Sequence, residues 1–250
     1  MFGRKRKAEF DYANAVMDIS REIRNKNLML YDNAVNGSEN SFLVYNLRDM
    51  NKLLHSTTVS TKQLLSEKGF TVSLADRVEK SVLLNTEISE LADAVKKGYG
   101  DEDEGSEIAD IIIRAVNFFC LDETFHNYEK LTYILKQKCS STDTITVPTP
   151  LNREAKEVKN KYILIEKMMN CWVEIKDASE MLEICYSENL GEDKFNTAFI
   201  ILWNKIVDLC AHCSAYVTLY LPQNLQYYVD SKMSKNFNRP YKYGTSEEVK

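Results

Sequence analysis

Glu87 and Glu90 stand three residues apart, and after a gap of 16 residues Glu107 and Asp110 repeat that spacing. Residues three apart on a helix project from neighbouring positions on one face, so each pair presents two carboxylates together. The intervening Gly98-Tyr-Gly-Asp-Glu-Asp-Glu-Gly105 is short enough to turn two helices back on each other. All four carboxylates then converge. An oxygen-only cluster of this kind suits a hard divalent cation, and Mg²⁺ is typically held by a few carboxylates, with waters and phosphate oxygens completing its shell.

The segment carrying Glu107 is the informative one. From Ile108 to Leu121 nearly every residue is apolar, and the exceptions are Asp110, Arg114 and Asn117. With Glu107 they follow the spacing 3, 4, 3, a single polar stripe along an otherwise buried rod. Buried carboxylates without partners cost several kcal/mol each, so the stripe calls for compensating charge. The run Asp101-Glu-Asp-Glu104 is explained by a helix start, where the dipole favours anions, and by solvation; it is excluded from the site.

Three stretches together carry a family resemblance: Ser66-Glu-Lys-Gly-Phe70, Glu87-Ile-Ser-Glu90-Leu-Ala-Asp-Ala-Val-Lys-Lys-Gly98, and Glu107-Ile-Ala-Asp110-Ile-Ile-Ile-Arg-Ala-Val-Asn117. They resemble the MazG-like all-α nucleoside triphosphate pyrophosphohydrolases, whose hallmark is E-x-x-E followed after a short gap by E-x-x-D. The resemblance implies that Glu87, Glu90, Glu107 and Asp110 bind Mg²⁺, with Mn²⁺ as an alternative. It also implies hydrolysis of a (deoxy)nucleoside triphosphate to the monophosphate and pyrophosphate; one of the four carboxylates, Glu90 being the first candidate, would orient or deprotonate the water, and the sequence does not choose among them. Asn117 stands where many members carry Asp and is left out of the ligand set.

The family's later K-x-x-x-N-x-x-R element is matched by Lys232-Met-Ser-Lys-Asn236-Phe-Asn-Arg239, followed by Pro240 and a basic run to Gly244. The resemblance makes Lys232, Asn236 and Arg239 the substrate-binding residues. They lie more than 100 residues from the carboxylates, across a weak internal repeat. Sliding the chain by 87 positions sets Glu87-Ile-Ser-Glu90 on Glu174-Ile-Lys-Asp177, and two further residues bring Ile111-Ile-Ile113 onto Ile200-Ile-Leu202. The second copy has Asn196 and Phe199 where its E-x-x-D should stand. One site assembled from both halves is the economical expectation, similar in outline to the duplicated all-α dimeric dUTPases.

Periodicity near 3.6 positions these residues on helices, expected over Ala8–Asn27, Ser41–Glu67 with a break near His55–Val59, Leu74–Lys97, Gly105–Leu121, Tyr128–Lys138, Arg153–Ser187, Asp193–Leu221 and Leu225–Lys235. No period-2 alternation between turn signals is recognised, so the fold expected is an all-α helical bundle of two tandem MazG-like repeats, the second degenerate. A helical extension is expected over 1–45, the complete repeat over 46–139, a linker over 140–152 and the degenerate repeat over 153–250. The linker rests on Ser140-Ser-Thr-Asp-Thr-Ile-Thr-Val-Pro-Thr-Pro150, which cannot continue a helix.

Composition excludes more than it selects. Among 250 residues there are only 8 Gly and 4 Pro, which argues against a turn-rich β sandwich. A net charge of −5 gives no global attraction for nucleic acid or anionic lipid. The apolar stretch Ala115–Leu121, interrupted by Asn117, is far short of the roughly 20 residues that span a bilayer, so no membrane helix is expected. The basic start Met1–Lys7 is followed by Glu9 and Asp11 rather than an apolar signal region, and six cysteines without a secretory signal are read as reduced, in a cytoplasmic protein. Cys210-Ala-His-Cys213 has no second half and is not expected to hold zinc. The expected partner is a small-molecule nucleotide, with a homodimer left open. Rival readings are a base-specific dUTPase or dCTPase, with Phe70, Tyr99, Phe118 and Tyr241 available to stack a base, and a catalytically inactive helical module that binds nucleotides or another protein.

Overall fold

The first described helix is set by Asn46, whose side-chain oxygen accepts from the backbone N–H groups of Arg48 at 2.9 Å and Asp49 at 3.3 Å. Those donors have no partner inside a first helical turn, so the cap starts the helix there. In this computed structural model, which describes residues 41–70, 72–125, 128, 143–149 and 157–240, α1 spans Leu47–Glu67. The expected break near His55 is not found. The hydroxyls of Ser56, Thr57 and Thr58 donate back to the carbonyls of Leu53 and Leu54, and burial of Leu54 and Leu64 outweighs the weak propensity of these residues.

Two expectations fail together at the start of α1. Ser41–Asn46 is a strand, β1, and Thr144–Thr149, expected to be linker, is its antiparallel partner β2, with Leu43 opposite Val147 and Tyr45 opposite Ile145. Thr144-Ile-Thr-Val147 does alternate, and it turns Ile145 and Val147 into the core. Pro148 is tolerated because a two-stranded ribbon is all edge.

The remaining elements are helical. A 3₁₀ turn, Leu74–Asp76, leads into α2, Arg77–Lys97, which stops at Gly98 in the left-handed region (φ 67°, ψ 42°) behind a last turn carrying Lys96 and Lys97. After two residues α3 runs Asp101–Cys120. Its start precedes the expected Gly105, because the acidic run forms the first turn itself rather than preceding it. A second hairpin follows: α4, Glu157–Ser187, and α5, Glu192–Tyr220. The last helix is α6, Leu225–Phe237, capped by Asn224.

The hairpins pack α2 against α4, fastened by the Trp172 indole donating to the Ser81 carbonyl at 2.8 Å and by an Arg77–Glu183 ion pair. Side chains of both hairpins, α1, α6 and β2 share one buried cluster, so the molecule is an all-α helical bundle with a small two-stranded ribbon. At its centre Phe119 meets Tyr128, Phe199 and Trp203 at ring distances of 4.9–5.5 Å. Contrary to the expectation of no such helix, α5 is by length and composition apolar enough to cross a membrane; 67% of its most apolar stretch is buried inside the bundle. The basic start, the expected helix Ala8–Asn27, residues 129–138 of the one expected from Tyr128, Cys139 and Tyr241 lie outside the described residues.

Candidate metal centre

Glu90 lies seven residues before the end of α2 and Glu107 six residues after the start of α3, so the tight hairpin sets them level. One carboxylate oxygen from each of Glu87, Glu90 and Glu107 lies within 4.8 Å of the others. Glu87 is buried, Glu107 half-buried and Glu90 exposed, so the triad rises from the core to the surface. Asp110, the fourth expected ligand, is engaged differently: it forms an ion pair with Lys232 of α6, whose Nζ also donates to Ser106 Oγ at 2.9 Å. Across the cluster Arg114 Nε donates to Glu87 Oε1 at 2.8 Å.

The electrostatics follow from this crowding. Burial, then the charge of Asp110, pushes the Glu107 carboxyl up to about 7; Glu90 and Glu87 add to the rise and Lys232 opposes it. Burial likewise raises Asp110 against the pull of Lys232. Glu107 Oε2 is buried with no hydrogen-bond partner. An orphaned carboxylate oxygen in an oxygen-only donor set fits a hard divalent cation.

The close seating of α6 on α3 depends on Gly105. A Cβ there would lie 2.1 Å from the Tyr228 ring. Lys232 stands one turn beyond Tyr228, and Asn236 one turn further. Asn236 is buried with its side-chain oxygen unbonded, and so is Asn117 on the stripe of α3. Arg239 lies exposed past the end of α6, where its carbonyl and that of Phe237 accept from Lys68 Nζ, the latter at 2.7 Å. Thus Lys232 reaches the acidic cluster directly, while Arg239 sits at the far end of the same helix.

Of the residues considered for base stacking, Phe118 is fully buried and belongs to the core, whereas Tyr99 is exposed, with Lys97 Nζ 5.3 Å above its ring. In the second half Glu174 pairs with Lys205 at 3.1 Å and Asp177 with Lys176 at 3.2 Å, while Asn196 and Phe199 are buried. Among the described residues no second acidic group converges there. Cys210 and Cys213 are fully buried, and burial holds Cys210 up at about 12 and His212 down at about 4. Their thiols stay protonated, and among the described residues they join no metal-capable group.

Glu104 corrects the reading of the acidic run. It is buried, accepts from Lys161 Nζ at 2.8 and 3.1 Å and from the Tyr216 hydroxyl at 2.7 Å, and ties α3 to both helices of the second hairpin. Its spacing of four from Ile108 was the signal that it shares the apolar face. The Lys232–Asp110 and Arg114–Glu87 pairs carried no such signal, since partners 122 and 27 residues apart are set only by packing. No family model, curated protein or solved structure matches this chain.

Proposed function

We propose that this protein is a Mg²⁺-dependent hydrolase that converts a (deoxy)nucleoside triphosphate to the monophosphate and pyrophosphate. The observation that carries the reading is the convergence of the carboxylates of Glu87, Glu90 and Glu107, one Glu107 oxygen orphaned, next to Asp110 and the lysine of the C-terminal helix that pairs with it. Glu87, Glu90 and Glu107 would hold the cation, with Asp110 as a further ligand once freed from Lys232. The cation supplies Lewis acidity, neutralising polyphosphate charge and making a nearby water more acidic. Glu90, exposed at the mouth of the cluster, orients or deprotonates the attacking water. Lys232 and Arg239 neutralise phosphate oxygens, and Asn236 hydrogen-bonds sugar or phosphate.

The degenerate second repeat, the cytoplasmic setting and the choice among nucleotide bases belong to the same proposal. A rival, the catalytically inactive helical module, is favoured by one observation: Asp110 already has an internal cation. Measuring pyrophosphate release from each of the eight common NTPs and dNTPs with Mg²⁺ tests both. Turnover that stops on chelation, with ¹⁸O from labelled water entering the monophosphate, supports the hydrolase and names the base. Absence of turnover with all eight supports the inactive module; release of inorganic phosphate as first product overturns the reaction class.

A further inference from the structure

The four carboxylates of the cluster face two internal cations, and the two cations come from different places. Arg114 lies on α3 itself, four residues from Asp110, and is bound to Glu87, so it is a fixed part of the hairpin. Lys232 belongs to α6 and reaches in from a separate helix, with both it and Asp110 largely shielded from water, at 14% and 15% side-chain exposure. Together the two leave a formal excess of two negative charges among four carboxylates, the charge of one divalent ion. The converging triad omits Asp110. Lys232 Nζ is also held by Ser106 Oγ, one residue before Glu107, so the ammonium is bound on two sides against the acidic face of α3.

Resting on the metal-centre reading above, we infer that Lys232 is a built-in counter-cation that holds the place of a second metal at Asp110, limiting the cluster without nucleotide to one divalent ion. Glu87, Glu90 and Glu107 hold that ion. Asp110 becomes a ligand only when Lys232 leaves it. An ammonium on a flexible stem suits this exchange better than a guanidinium: it is a point charge that can turn to another anion, such as a phosphate oxygen, without rebuilding a planar two-bonded fork. The same lysine then stabilises the chain when the cluster is short of cations and is released when a polyanion competes for it.

Counting bound Mn²⁺ per full-length chain, from the free-ion signal in electron paramagnetic resonance, tests this without turnover. The expected result is one Mn²⁺ for the unaltered chain and two for Lys232→Met. Lys232→Gln, which keeps a donor toward Ser106, guards against loss of fold and should also bind two. Adding Asp110→Asn to Lys232→Met should return the count to one, because the second ion needs the freed carboxylate. Two Mn²⁺ on the unaltered chain, one on both lysine variants, or two on Lys232→Met with Asp110→Asn overturns the counter-cation while leaving the metal centre standing. No Mn²⁺ bound by any of them overturns the metal centre and the counter-cation with it.

Discussion

Glu107 concentrates the conflict on which the site is built, because its carboxyl is raised to about 7 and one of its oxygens is buried without a partner. The unfolded chain ionises that carboxyl near 4.5, so between these values the folded state binds more protons and stability falls as pH rises. The full shift would be a few kcal/mol, and for a half-exposed carboxyl screened by solvent about 1–2 kcal/mol of that survives. Urea unfolding in chelator from pH 5 to pH 8 should therefore show a decline that ends near pH 7, and Glu107→Gln should flatten it. A decline that persists unchanged in Glu107→Gln would place the conflict on another group. With Mg²⁺ present the proton is displaced, so metal stabilisation should grow as pH rises through about 7 and vanish in Glu107→Gln. The E-x-x-E and E-x-x-D pairs made this residue legible from sequence, since spacing on a helix decides which side chains share a face. Its partners were not legible, because Lys232 and Ser106 meet only through the packing of α6 on α3.

At the scale of elements, the hairpin of α2 and α3 brings the acids level, and α6 brings the lysine. The seating of α6 rests on Gly105, where any Cβ would enter the Tyr228 ring. Gly105→Ala gains helix propensity of about 1 kcal/mol, but overpacking against an aromatic ring costs about 1–3 kcal/mol or more, so a net loss of stability is expected. Tyr228→Leu should restore part of it, and a double-mutant cycle by thermal unfolding should give a coupling of at least about 1 kcal/mol. Additive effects would mean that α6 is seated by other contacts. Long helices were readable from their period, and stops such as Gly98 from a glycine behind a cationic turn. The ribbon was not. Its alternation spans only Thr144–Val147 within a Ser/Thr/Pro cluster, and β1 resembles the first turn of the helix it precedes. A strand whose partner lies about 100 residues away has no local signature beyond its own few side chains.

Over the whole molecule, the two hairpins are joined by charge as well as by core. Lys161, buried against Glu104 with Tyr216 donating to the same carboxylate, spans the halves at the start of α3. Removing one member leaves a buried charge alone, so Lys161→Met should cost about 3–5 kcal/mol in urea unfolding. Lys161→Met with Glu104→Gln, which retains an acceptor for Tyr216, should cost far less than the lysine change by itself. The halves also differ in what they can do. The first holds the converging acids, whereas in the second Glu174 and Asp177 are spent on surface pairs with Lys205 and Lys176, and Asn196 and Phe199 are buried. Surface pairs of this kind contribute little to stability. If only the first half works, Glu174→Gln and Asp177→Asn should leave pyrophosphate release and Mg²⁺ stabilisation within about two-fold, while Glu87→Gln removes both. Arg239→Ala should weaken catalysis at least about ten-fold through loss of a charge-assisted phosphate contact, with little change in melting temperature. If Glu174→Gln proves as damaging as Glu87→Gln while Arg239→Ala is harmless, the working acids lie in the second half, and the asymmetry drawn from these ion pairs is wrong.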